Sequence, residues 1–80
     1  MIRRRMSADV ELDARGLRCP MPIMKATRAI KEMKPGQILR VQATDPGSRR
    51  DFEGWAKNGG HALLSVEEGG GVYTYTIRKG

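Results

Sequence analysis

Breaker residues cut this chain into short pieces. Pro35-Gly36, Gly59-Gly60 and Gly69-Gly70-Gly71 leave room for little more than one helix or strand between successive stops. Such a chain folds as a few short elements in alternation. With 80 residues it makes one domain, whose core lies near the lower limit for independent stability. A core that small hides no deep cavity, so any active site is expected to be shallow and better suited to a protein surface than to a small molecule.

Between the breaks, the hydrophobic period changes. Ala8, Val10 and Leu12 alternate with Asp9, Glu11 and Asp13, which is the pattern of a half-buried strand. Arg15 and Gly16 read as a turn. From Pro20 to Met33 the period becomes helical: Ile23, Ala26, Thr27, Ile30 and Met33 share a stripe, while Lys25, Arg28, Lys31 and Glu32 fall elsewhere. Prolines in a first turn are tolerated because N–H groups there have no intrahelical acceptor. Ile38 to Ala43 is a second strand. Asp45-Pro46 suggests the start of a second helix, with Ser48 as a rival start. That helix has a narrow apolar face of Phe52, Trp55 and Ala56, and Gly54 weakens it by about 1 kcal/mol relative to alanine. His61 to Glu67 and Val72 to Arg78 are two further strands joined at the glycine tip. The tip lacks the spacing of a phosphate loop and precedes no helix.

The order is therefore βαβαββ. Right-handed crossovers put both helices on one face of the sheet. The predicted class is α/β, an α+β two-layer sandwich, with Arg40, Gln42, Thr74 and Thr76 on the open face. The domain is expected over residues 8–80, preceded by a flexible basic tail over 1–7 that holds Arg3, Arg4 and Arg5.

The chain has a single cysteine, Cys19, and one histidine, His61. One cysteine makes no internal disulfide and no zinc or iron–sulfur cluster, and the count fits a reducing cytoplasm. No apolar run is long enough to span a membrane or serve as a signal peptide. Cys19 falls between the first strand and the first helix. Ligands bind outside the carboxyl ends of strands in open α/β sheets, and a helix start favours a thiolate. The Cys19 pKa is therefore expected to be lowered, with Arg15 and Arg18 adding to the effect. Pro20 and Pro22 stiffen the backbone and hold the sulfur outward. The plain alternative is a small buried hydrophobe. A thiol oxidoreductase needs a resolving cysteine, and a cysteine hydrolase needs a base. His61 is far off in sequence and reads as structural or exposed. A carrier needs only one nucleophilic sulfur.

The run of Leu12, Asp13, Arg15, Gly16, Leu17, Arg18, Cys19, Pro20, Met21 and Pro22 resembles the signature of the TusA (SirA-like) sulfur carrier family. The resemblance continues through Pro35-Gly36, Asp45-Pro46 and Arg50-Asp51 into the last strand, over about residues 8–79. It implies a fold like the C-terminal domain of bacterial translation initiation factor three, with sheet order 1-2-4-3 and the fourth strand antiparallel to the rest. It implies a persulfide on Cys19 as the working species, with no separate cofactor. Implied donors are a cysteine desulfurase or a rhodanese-type sulfurtransferase. Implied acceptors are relay proteins serving tRNA thiolation, molybdenum cofactor synthesis or sulfur oxidation.

One position departs from the family. Met21 stands where glutamate is frequent, which removes a negative charge beside the sulfur and bears on which partner docks. Met21, Arg49 and Arg50, with Arg15 and Arg18, are expected to form the docking surface for an acidic partner. Trp55 is expected in the core, with the docking face as the alternative. A competing reading rests on the net charge of +6: a nucleic-acid-binding or regulatory module of the same fold. Sparse aromatics argue against it, since Tyr73 and Tyr75 do not form a stacking platform. A redox or selenium-related use of Cys19 stays open.

Overall fold

The computed structural model describes residues 8–80, so the arginine-rich tail lies outside the described residues. The chain runs β1 (Val10–Ala14), α1 (Met21–Lys31), β2 (Ile38–Ala43), α2 (Ser48–Gly59), β3 (Ala62–Gly69) and β4 (Val72–Arg78). The sheet order is β1-β2-β4-β3. β1 and β2 are parallel, and β4 runs antiparallel to both of its neighbours. The expected βαβαββ sandwich and its mixed sheet are what forms.

Alternation sets the register. Leu39 faces Ile77 and Val41 faces Tyr75 across β2 and β4, while Leu12 faces Val41 across β1 and β2. Leu39, Val41, Tyr75 and Ile77 are fully buried. Their sequence neighbours point to the other face, where Glu11 pairs with Arg40 at 3.7 Å. A slip of one residue would turn every core side chain outward, so burial itself holds the register. Both helices cover the apolar face. α1 buries Pro22, Ala26 and Ile30, and α2 buries Ser48, Phe52 and Ala56. Phe52 stacks on Tyr75 with ring centroids 4.5 Å apart. The Tyr75 and Ser48 hydroxyls hydrogen-bond at 2.5 Å, which satisfies both inside the core.

The second helix begins later than its Asp45-Pro46 signal suggests. It starts at the rival Ser48, with Gly47 as the capping residue and no side-chain cap. The Asp45 carboxylate is shared: one oxygen accepts the Gly47 N–H at 3.1 Å and the other reaches a distant backbone N–H described below. The first helix likewise ends at Lys31, two residues short of Met33, whose side chain is still buried. The Lys79 ammonium donates to the Met33 carbonyl and closes that end. At the hairpin tip, Gly70 and Gly71 have φ of 59° and 80°, the left-handed pair that a two-residue hairpin of matching twist needs. Gly69, expected within the tip, still pairs as the last residue of β3.

Candidate functional site

The segment between β1 and α1 carries Cys19, and hydrogen bonds to neighbouring segments fasten it. Leu17 N–H donates to the Ala14 carbonyl at 3.3 Å, and Gly16 N–H donates to Thr44 Oγ1 at 2.9 Å. The Cys19 N–H donates to Asp45 Oδ2 at 2.9 Å. On the far side, Met21 N–H returns to the Arg18 carbonyl at 2.8 Å. Pro20 caps α1 through a cis Cys19–Pro20 peptide, and Pro22 anchors the first turn by being buried. The backbone at Cys19 is therefore tied to the carboxyl ends of both β1 and β2, and its thiol is exposed. The alternative of a buried hydrophobe is excluded.

Three open hollows meet at the sulfur. One runs past Asp45, Pro46, Arg49 and Arg50 to Asp51 and Glu53. A second is bounded by Leu17, Arg18 and Thr44. A third is an apolar groove between the helices, with Pro20, Ile23, Gly54 and Trp55 on its walls. Met21 and Met24, on the exposed side of α1, are 42% and 54% accessible.

The electrostatics correct the expectation of a lowered thiol pKa. The Cys19 thiol is pushed up: hydrogen bonding with the Asp51 carboxylate contributes most, desolvation adds to this, and the charges of Asp51 and Asp45 act the same way. Two of the four arginines expected near the sulfur are already engaged. Arg15 forks onto Asp13 at 2.9 and 3.0 Å and holds that carboxyl down at about 2, mainly through this hydrogen bonding. It lines a separate hollow with Gln42 and Glu67 and does not form part of the sulfur's surroundings as expected. Arg49 lies 3.5 Å from Glu53 one turn on. Arg18 and Arg50 form no ion pair among the described residues. The sulfur thus sits beside carboxylates, with unpaired cations at the rim.

The sequence reading did not single out Asp45 or Asp51 as site residues. Asp45 looked like a helix cap, and Asp51 lies 32 positions beyond Cys19. The one signal for Asp51 was its place in the family-like Arg50-Asp51 pair. Trp55 is half-buried at the core's edge: its ring meets Phe52 edge-on at 5.7 Å, and its Nε1 donates to Thr27 Oγ1 at 3.0 Å. It packs against the core from outside it and also walls the groove. His61 accepts the Gly80 N–H through Nδ1 at 3.0 Å and packs on Trp55, a structural position. Among the described residues, no three His, Cys, Asp or Glu side chains are grouped as metal ligands. Among the same residues, no helix is long and apolar enough to cross a membrane.

The family described as sulfurtransferase TusA matches residues 10–79. "Sulfur carrier protein TusA" of Allochromatium vinosum is 48% identical over 71 residues, covering 89% of this chain and 93% of that one. "Putative sulfur carrier protein YrkF" of Bacillus subtilis is 47% identical over 75 residues, which is 94% of this chain but only 40% of that protein's length. The crystal structure of a SirA-like protein from Desulfitobacterium hafniense superposes with a TM-score of 0.79 at 29% identity, covering 89% of this chain and 97% of that one.

Proposed function

The chain belongs to the TusA sulfurtransferase family, and from that premise we propose that it accepts sulfane sulfur as a persulfide on Cys19 and passes it to the thiol of another protein. The observation that carries this reading is one exposed thiol held by backbone bonds at the meeting point of open hollows. No second cysteine is present to resolve a disulfide, and His61 is engaged elsewhere. A transferable sulfur needs only an accessible nucleophile and room for a second sulfur in line with it.

The donor is a cysteine desulfurase or a rhodanese-type protein, and the acceptor is a relay protein with its own thiol. Both act where thiols are kept reduced. The group carried is covalent, so the chemistry calls on no further cofactor. A direct nucleic-acid role has less support: Tyr75 is inside the core, and Arg15 and Arg49 are paired with carboxylates.

The test is an intact mass after incubation with a desulfurase and cysteine, or with a rhodanese and thiosulfate. The expected result is the gain of one sulfur atom, removed again by dithiothreitol. No gain from either donor overturns the reading.

Docking follows from the unpaired cations. Arg18 and Arg50 flank the sulfur and are free to meet an acidic partner surface, with Met21 supplying apolar contact. Reversing either charge, as Arg18→Glu or Arg50→Glu, is expected to slow protein-to-protein transfer about tenfold at low salt, within the range of electrostatic steering. The salt dependence should flatten and the melting temperature should hold, since both side chains are exposed. An unchanged rate removes these residues from the docking surface.

A further inference from the structure

Asp51 has a place in the site that its helix alone does not explain. It is on the first turn of α2, where a carboxylate gains from the helix dipole. Yet it also borders both the hollow beside Arg50 and the apolar groove, and Cys19 borders both as well. It makes no ion pair among the described residues although Arg50 is its chain neighbour. Its half-buried side chain shares both hollows with the thiol instead.

We propose that Asp51 is the proton acceptor for Cys19 when sulfur is loaded and the proton donor when sulfur is delivered. This rests on the carrier reading and deepens it. In loading, the Cys19 sulfur attacks the outer sulfur of the donor persulfide. A new S–S bond forms on Cys19, the donor's S–S bond breaks, the thiol proton moves to the Asp51 carboxylate, and the donor sulfur departs as a thiolate. In delivery, the acceptor thiolate attacks the outer sulfur. The S–S bond on Cys19 breaks and the Asp51 proton returns to the departing Cys19 sulfur. Electrons and protons balance in each step, with no oxidant or reductant consumed.

The other charged groups facing the sulfur have separate duties. Asp45, from the loop after β2, holds the Cys19 N–H. Arg49 and Glu53 of α2 pair with each other, and Arg18 and Arg50 stand at the rim. α1 brings Ile23, which is apolar, to the groove. Asp51 is the carboxylate left to exchange a proton.

The test compares two reactions of the same thiol in Asp51→Asn, which keeps the shape and the dipole but takes no proton. Alkylation by iodoacetamide needs only thiolate, so it is expected to speed up several-fold at neutral pH once the carboxylate is gone. Loading from glutathione persulfide is expected to slow about 100-fold, at the lower end of general acid–base effects. The gap in loading closes as pH rises above the thiol pKa, and Asp51→Glu recovers part of the rate. A rise in both reactions together would make Asp51 only an electrostatic brake and overturn the proposal. So would loading that is unchanged at every pH. Wild type that takes up no sulfur overturns the carrier reading itself, whereas normal wild-type loading with an unaffected Asp51→Asn overturns only the assignment of Asp51.

Discussion

Cys19→Ser is expected to abolish sulfur uptake and leave the fold untouched. The serine hydroxyl is not a sulfur nucleophile near neutral pH, and the chain has no second thiol to take over. The loss should therefore be complete, with no added sulfur in the intact mass after incubation with either enzymatic donor. The side chain is exposed and outside the buried core, so its replacement costs little stability. The backbone bond from the Cys19 N–H to Asp45 does not depend on the side chain and survives. Matching melting curves would show that the missing sulfur reflects lost chemistry. Sulfur found on the serine variant would mean that another group carries it.

Phe52→Ala is expected to have the largest effect on stability, a loss of about 3–5 kcal/mol. The Phe52 ring is fully buried, stacked on Tyr75 and in edge contact with Trp55. Its removal leaves a cavity between α2 and the sheet that the Ser48–Tyr75 hydroxyl pair resists closing. Domains of this size have about 5–15 kcal/mol to lose, and small ones sit at the low end, so much of the population should unfold at 37 °C. Urea titration followed by circular dichroism measures the loss. Met24→Ala, at an exposed position on α1, is the control and should shift stability by no more than about 0.5 kcal/mol. The functional link is through α2, which carries Arg50, Asp51 and Trp55 to the sulfur. Loosening that helix should impair loading even in molecules that stay folded. A Phe52→Ala protein as stable as wild type would show that the stacked rings do not hold α2 in place.

Much of the architecture is legible because it is local. The alternation in Ile38–Ala43 and Val72–Arg78 and the stripe of Ala26 and Ile30 each report a face, and each face proves buried as read. The breakers stop the elements within a residue or two of the expected places. Asp45-Pro46 misleads because capping is a local habit, and here one carboxylate oxygen stays with Gly47 while the other takes a more distant partner, the Cys19 N–H. The strand order came from family likeness, since periodicity says which face is buried and not which edges meet.

The lone thiol and its place between a strand and a helix belong to the sequence by itself. So do the stiff prolines, the element order and the family likeness, because all are patterns of neighbouring residues. The sulfur's electrostatic setting was decided only in three dimensions. Arg15, four residues away, is drawn off by Asp13, while Asp51, far along the chain, comes to the thiol. Charge acts through space and falls with distance, so the sign of the field at Cys19 depends on which helix end the fold brings to it. The helix start, with arginines close in sequence, suggested a lowered thiol pKa. The packing of α2 against the sheet produced a thiol that is exposed, has a carboxylate beside it and is pushed up rather than down.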